Sequence, residues 1–121
     1  MYVLGLHLSE YDVTSCNRER WTAQRDGVSV VCNIQGWPAD RKTRTERVRS
    51  RLIVNEGSHE RRYETHWTFH TYDLPQLKRL TRRVRDVFNH VATYDFRYRI
   101  DKPMELDGEQ LDNVLILRKR V

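Results

Sequence analysis

Hydrophobic positions recur with the period of an α-helix between Asp73 and Val91. Apolar side chains spaced three and four residues apart fall on one stripe: Leu77, Leu80, Val84, Val87, Phe88 and Val91. Asp73 occupies the N-cap position, and Gln76 follows in capping-box register. Pro75 lies in the first turn, where its missing N–H breaks no helical bond. The pattern predicts one long amphipathic helix over about residues 74–91.

Shorter patterns on both sides of this helix predict β-strands. The runs that are typical of strands, most of them alternating apolar and polar residues, are 2–9, 20–24, 28–34, 94–100 and 114–117. Arg25-Asp26-Gly27 is a turn signal between two of these strands. A helix over 16–25 is the alternative to this first hairpin, but its apolar spacing is poor. The hairpin is therefore the preferred interpretation.

A second hairpin is predicted over residues 48–69, and its register follows from burial. A four-residue loop over 56–59 gives these cross-strand pairs: Leu52–Tyr63, Val48–Trp67, Arg51–Glu64 and Arg49–His66. A slip of one residue would put Arg49 on the face of Trp67, so burial selects this register. The apolar stripe of the helix is then expected to pack on three aromatic side chains of the return strand, Tyr63, Trp67 and Phe69.

Taken together, the elements predict an α+β fold in a single domain over residues 1–121. Its largely antiparallel sheet has about six or seven strands, with the helix on one face and the charge on the other. No apolar run approaches the roughly 20 residues of a membrane span. Met1 is not followed by a secretion signal, so a soluble, cytoplasmic protein is expected. Cys16 and Cys32 are expected to be reduced thiols, and the absence of CxxC argues against structural zinc.

Charge adds a candidate function to this architecture. The chain has 22 basic and 17 acidic residues, a net charge of +5, and 18 of the basic residues are arginine. Arginine binds phosphate with a planar fork and stacks on bases. The candidate nucleic-acid site, with Trp37 as its stacking residue, comprises Arg41, Lys42, Arg44, Arg47, Arg49, Arg51 and Arg62. An ordinary solvated sheet face with Arg–Glu pairs is the alternative interpretation.

The helix carries a second basic surface, which would face away from the exposed sheet. Its members are Lys78, Arg79, Arg82, Arg83 and Arg85. Because the helix covers one face of the predicted sheet, this surface and the arginine row lie on opposite sides. They are therefore competing sites, unless each serves a different partner.

The leading hypothesis is a small basic protein that binds RNA or single-stranded nucleic acid without catalytic activity or a cofactor. The alternative is a protein-interaction module, such as an inhibitor or an accessory factor from a mobile element. Its partner would be acidic, because basic charge speeds association with an acidic surface. A homodimer could also form through an edge strand.

Two histidines support a third hypothesis. His7-Leu8-Ser9 and His66-Trp67-Thr68 resemble the paired His-x-Ser/Thr motifs of the 2H phosphoesterases. In that family two imidazoles act as acid and base on a phosphodiester. The resemblance implies that His7 and His66 are catalytic, which requires the first strand to neighbour the second hairpin. No metal site is predicted, because His66 and His70 would stand roughly 13 Å apart on a strand.

Overall fold

The fold is that of a computed structural model describing residues 1–121. Its elements in chain order are β1 Tyr2–His7, β2 Asn17–Arg25, β3 Val28–Gly36, β4 Thr45–Glu56, β5 His59–His70, α1 Leu74–Arg83, β6 Phe88–Tyr94 and β7 Asp112–Lys119. Seven strands, antiparallel within their sheets, and one helix confirm the predicted α+β class. No helix has the length and apolar character that crossing a bilayer requires.

The chain divides into two compact units, and each holds one sheet. Unit 1 comprises residues 1–10 and 71–121, and unit 2 comprises residues 11–70. The sheet of unit 1 has the strand order β1-β7-β6, and the sheet of unit 2 has the order β2-β3-β4-β5. The predicted strands are therefore shared between two sheets, each with its own neighbours.

The core of unit 1 is small and lies between its helix and its sheet. Leu8, Leu77 and Leu115 form the buried cluster, each with at most 2% of its surface exposed. Leu77 comes from α1, and Leu115 comes from the central strand β7, whose apolar run is typical of a strand with neighbours on both sides. The helix therefore packs in unit 1 through the first residue of its predicted apolar stripe.

The helix begins as predicted. Asp73 accepts the N–H of Gln76 through its side chain at 2.8 Å, and the Gln76 side chain accepts the N–H of Asp73 at 2.9 Å. This reciprocal capping box satisfies two N–H groups at the start of the helix that have no partner inside it. Pro75 lies in the first turn.

The helix ends eight residues earlier than predicted, at Arg83. Tight turns follow, in which Val84 donates to Thr81 at 3.3 Å and Val87 donates to Val84 at 3.0 Å. Residues 88–94 then pair with β7 as strand β6. The apolar spacing over 84–91 fits a helix, but the sequence FNHVATY is rich in aromatic and β-branched residues. Pairing with β7 decides between the two.

The predicted strand over 94–100 is wrong, because residues after Tyr94 form turns. Asp95 accepts the backbone N–H of Arg97 through its side chain at 3.0 Å, and its carbonyl accepts the N–H of Tyr98 at 3.2 Å. These local bonds compete with a sheet ladder. The apolar side chains at this end of the loop are exposed, by 67% at Tyr98 and 84% at Ile100.

Unit 2 is an antiparallel meander in which tight turns join β2 to β3 and β4 to β5, and the longer segment 37–44 joins β3 to β4. Asp26 and Gly27 have φ angles of 51° and 77°, which a type I′ hairpin turn requires. The second hairpin turns at Gly57-Ser58, so its loop has two residues instead of the predicted four. The register of this hairpin is confirmed, since the four predicted pairs all occur: Leu52–Tyr63, Val48–Trp67, Arg51–Glu64 and Arg49–His66.

The expected burial of three aromatic side chains of this hairpin is wrong. Tyr63, Trp67 and Phe69 are 50%, 42% and 50% exposed. In the whole of unit 2 only Gly36 is buried. The alternation of the sequence correctly placed the aromatic side chains on one face, but it did not determine which element covers that face.

Candidate nucleic-acid interface

The sheet of unit 2 has two faces of opposite character. The basic face carries six arginines against two glutamates, together with His66: Arg18, Arg20, Arg47, Arg49, Arg51, Arg62, Glu60 and Glu64. The apolar face carries Trp21, Ala23, Val28, Val30, Cys32, Ile34, Val48, Leu52, Val54, Tyr63, Trp67 and Phe69. This separation follows from the two-residue period of a strand, because register aligns like positions of neighbouring strands.

The basic face is organised in rows that cross the four strands. One row is Arg18–Gln35–Arg49–His66, and the next is Arg20–Asn33–Arg51–Glu64. Neighbouring strands stand about 4.8 Å apart and successive rows about 6.8 Å apart. The amide side chains of β3 therefore lie between the arginines of β2 and β4. Arg49 uses this arrangement and donates to the Gln35 amide oxygen at 3.0 Å.

Carboxylates neutralise part of this face. Arg51 donates to Glu64 at 2.5 Å, and the His66 ring lies 2.7 Å from the other oxygen of Glu64. Hydrogen bonds from Arg51 and then His66 lower the pKa of Glu64 to about 2. Arg62 donates to Glu60 at 2.6 Å. The Arg–Glu pairs of the alternative interpretation are therefore present at Arg51 and Arg62.

The other four arginines of the basic face have no ion pair. No carboxylate lies within 4 Å of Arg18, Arg20, Arg47 or Arg49. All four belong to the half of the face where β2 begins, β3 ends and β4 begins. The positive charge of the face is thus concentrated in this half, where a phosphate would meet several unpaired guanidinium groups.

Trp37 borders this half of the face and is held by two of its arginines. Its N–H donates to the carbonyl of Arg47 at 2.9 Å. The guanidinium carbons of Arg47 and Arg49 lie 5.3 Å and 5.5 Å from the ring centroid, within the range of cation–π attraction. The half-buried ring orders these two cations. Stacking on a base stays a prediction for this ring.

The loop cations of the predicted site have different surroundings. Arg41 donates to Asp12 at 2.8 Å and lies over the Tyr11 ring at 5.1 Å. The Asp40 side chain accepts the N–H groups of Thr43 and Lys42, and these bonds lower the pKa of Asp40. Lys42 has no carboxylate within 4 Å. Arg44 has a left-handed backbone, with φ at 54°.

Two residues of the basic face were missed by the sequence-based prediction. Arg18 and Arg20 lie on β2, which begins at Asn17 and not at Arg20 as expected. Arg18 and Arg20 are two residues apart, and the same alternation continues to Thr22. This spacing was the signal that could have placed both arginines on one face of a strand. The expected strand over 20–24 left Arg18 outside it and so concealed the pair.

The second basic surface lies in unit 1, on the helix and the turn after it. Lys78, Arg79, Arg82 and Arg83 are exposed on α1, and Arg85 follows in the turn. Arg82 and Arg83 are in the last turn, where cations interact favourably with the helix dipole. This gives the helix arginines a structural role that needs no ligand.

The two candidate catalytic histidines lie in different units. The Nδ1 atom of His7 lies 2.6 Å from Asp112, and both residues belong to unit 1. His66 belongs to unit 2 and contacts Glu64. Each imidazole therefore has its own carboxylate partner. No group of three or more His, Cys, Asp and Glu side chains is placed to hold a metal ion, and both cysteines are free thiols.

Comparison with known proteins shows a fold but no family. The chain matches no protein-family model, and no curated protein is similar to it. A solved S-adenosylmethionine-dependent methyltransferase from Clostridium acetobutylicum is similar over 97% of this chain, with a TM-score of 0.61 and 13% identity. The chain spans only 43% of the length of that enzyme. An identity this low shows a shared fold alone, since one fold supports many functions.

Proposed function

We propose that the chain is a non-catalytic, cytoplasmic binding module that holds RNA or single-stranded nucleic acid on its basic face. The observation that carries this proposal is the group of four neighbouring arginines without carboxylate partners: Arg18, Arg20, Arg47 and Arg49. Such groups bind backbone phosphates and release condensed counterions. Phosphate contacts of this kind position the ligand but carry no sequence information.

The shape of the surface favours a single strand over a duplex. The basic face belongs to an open sheet, whose side chains can follow an extended backbone. The guanidinium groups of Arg47 and Arg49 are held by Trp37, so part of the ordering cost of binding is met before the ligand arrives.

A salt-dependent titration tests the proposal directly. Labelled single-stranded RNA, single-stranded DNA and duplex DNA are titrated at several salt concentrations. The logarithm of the binding constant should fall with the logarithm of salt, with a slope of about −0.7 per phosphate contact on single strands. A flat salt response, or no binding at low salt, would contradict the proposal.

Substitutions locate the binding surface. Arg18→Ala, Arg47→Ala and Arg49→Ala should each weaken binding about equally for all sequences and lower the slope by about one contact. Arg62→Ala is the matched control on the same face, because Arg62 is already paired with Glu60. Loss of affinity in Arg79→Ala and Arg83→Ala, with the strand variants unchanged, would move the ligand to the helix.

The likeness to the methyltransferase favours a second candidate function. The chain would then be an interaction module that accompanies a catalytic region binding S-adenosylmethionine. The supporting observation is that the shared fold extends over 97% of this chain but under half of that enzyme. The basic charge would speed association with an acidic partner surface.

Calorimetry with S-adenosylmethionine tests this second candidate. The chain alone should give no heat of binding, because the cofactor site would belong to the catalytic region. Binding by the chain alone would show that it is more than an accessory module. The RNA titration separates the two candidates, because an accessory module is not expected to bind single strands with an affinity that falls steeply with salt.

A further inference from the structure

The apolar face of unit 2 carries large hydrophobic side chains that are exposed. A sheet with one hydrophobic face is stable when that face is buried against another element. Yet Trp21 at the first strand of this sheet is 56% exposed, and the aromatic side chains of β5 are about half exposed. One row of paired residues on this face, Trp21–Cys32–Leu52–Tyr63, crosses all four strands and contains only apolar side chains. A continuous patch of this kind marks an interaction surface.

The size of the patch fits a protein interface. Four strands about 4.8 Å apart and nine residues long cover roughly 600 Å² of flat sheet, and side-chain relief increases the accessible area. A stable complex buries about 800 Å² on each partner. Stacked sheets pack about 10 Å apart with interdigitated side chains. A second sheet centred near the row Trp21–Cys32–Leu52–Tyr63 would therefore cover the middle of the face, with Trp67 and Phe69 of β5 outside the overlap.

We propose that a second copy of this chain packs on the apolar face, so that two four-stranded sheets form a symmetric sandwich. The charges on the face define its orientation. Glu19 and Arg25 lie on β2, at equal distances on either side of Thr22. We place a two-fold axis between the two sheets, perpendicular to the strands and at the level of Thr22. This axis puts β2 over the partner's β2, with the two strands running in opposite directions. Glu19 then stands opposite the partner's Arg25, and this pair occurs twice.

The same axis matches other side chains of the face. Trp21 falls opposite the partner's Ala23, so a large side chain meets a small one. Tyr63 falls opposite the partner's Arg61, in position for a cation–π contact. An axis parallel to the strands would instead stack β2 on the partner's β5. Arg25 would then face His59, which offers no carboxylate.

Pairing through edge strands is the competing arrangement, and the edges argue against it. The edge strands of this sheet are β2 and β5. Both carry closely spaced charges, among them Arg18, Glu19 and Arg20 on β2 and Arg61, Arg62 and Glu64 on β5. Charged side chains along an edge are a common protection against edge-to-edge pairing. The sandwich also leaves both basic faces outward, so it is independent of the proposed nucleic-acid function.

Sedimentation equilibrium over a range of concentrations tests the sandwich. The wild-type chain should reach twice its 14.6 kDa mass. Trp21→Glu should raise the dimer dissociation constant at least tenfold, because it places a charge in the apolar interface, one residue from the level of the two-fold axis. Thr22→Glu is the matched control, since Thr22 is an exposed neighbour on the opposite face. Circular dichroism verifies that both variants are folded.

Charge reversal tests the orientation. Glu19→Arg and Arg25→Glu should each weaken the dimer several-fold, and the double variant should restore it, because the pair is re-formed with its signs exchanged. A chain that remains at 14.6 kDa at all concentrations overturns the proposal. So does a dimer that tolerates Trp21→Glu, as an edge-paired dimer would. A double variant that stays as weak as the single variants overturns the end-over-end arrangement.

Discussion

Glu64 controls how much positive charge the basic face presents. It is one of two carboxylates on that face, and it contacts both Arg51 and His66. Its ionised form persists well below neutral pH, because these two partners lower its pKa to about 2. At neutral pH Glu64 therefore keeps Arg51 from acting as a free cation.

Neutralising Glu64 should strengthen nucleic-acid binding. In Glu64→Gln the Arg51 guanidinium loses its charged partner and becomes available to a phosphate. The salt slope should then steepen by up to one contact, about 0.7 on a single strand. Glu60→Gln, which releases Arg62, is the comparison in the other half of the face. Unchanged affinity in Glu64→Gln would show that the ligand does not reach Arg51.

The pH dependence of unfolding should reveal the same carboxylate. A group whose pKa is lower in the folded state stabilises the fold above its unfolded pKa and loses that contribution as the pH falls. For Glu64 the window lies between about 4.5 and about 2. The melting temperature of the wild type should fall more steeply across this window than that of Glu64→Gln. Parallel curves would indicate that the Arg51–Glu64 pair does not contribute in solution.

At the scale of single residues, sequence patterns place side chains on faces but not in pairs. Arg47, Arg49 and Arg51 were predicted on one face, and they lie there. All three have contacts that restrict them: Arg51 with Glu64, Arg49 with Gln35 and Trp37, and Arg47 with Trp37. Rotamers and partners depend on the neighbouring strand, so periodicity alone could not identify which arginines remain unpaired.

The helix of unit 1 depends on a single buried side chain. Leu77 is 2% exposed and packs with Leu8 and Leu115. Leu77→Ala should lower the free energy of unfolding by roughly 2–5 kcal/mol, the range for a large-to-small change in a core. Leu80→Ala is the control on the same helix, since Leu80 is 39% exposed. Urea denaturation followed by circular dichroism measures both, and equal effects would contradict the assigned core.

At the scale of elements, local signals were read correctly where they are strong. The capping box at Asp73 and the turn at Asp26-Gly27 depend on neighbouring residues only, and both are present. The end of the helix depends on a long-range choice, because residues 88–94 can continue an apolar stripe or pair with β7. Loops such as 95–100 form through side-chain bonds that an alternating apolar pattern conceals.

At the scale of the whole molecule, the class of the fold followed from the sequence, but the layers did not. About six or seven strands and one helix were expected, and their division into two sheets was not. A half-buried strand has the same pattern whether a helix, another sheet or a second chain covers its apolar side. The exposed state of Trp67 in a correctly predicted register illustrates this limit.

Binding of a long single strand involves both faces of unit 2 and depends on both proposals. In the sandwich the two basic faces point in opposite directions, so a short single strand can contact one face only. A strand long enough to pass around the dimer can contact both, and the second contact is then intramolecular. Trp21→Glu should therefore leave the affinity for a short oligonucleotide unchanged and weaken the affinity for a long one by at least tenfold, with the salt slope on the short strand preserved.

Fluorescence anisotropy with both lengths measures this difference, and Thr22→Glu is unsuitable as its control because it adds a charge to the basic face. Trp21→Phe is the appropriate control, since it keeps the apolar surface. An equal loss on short and long strands would mean that Trp21 acts through the stability of the basic face and not through the dimer.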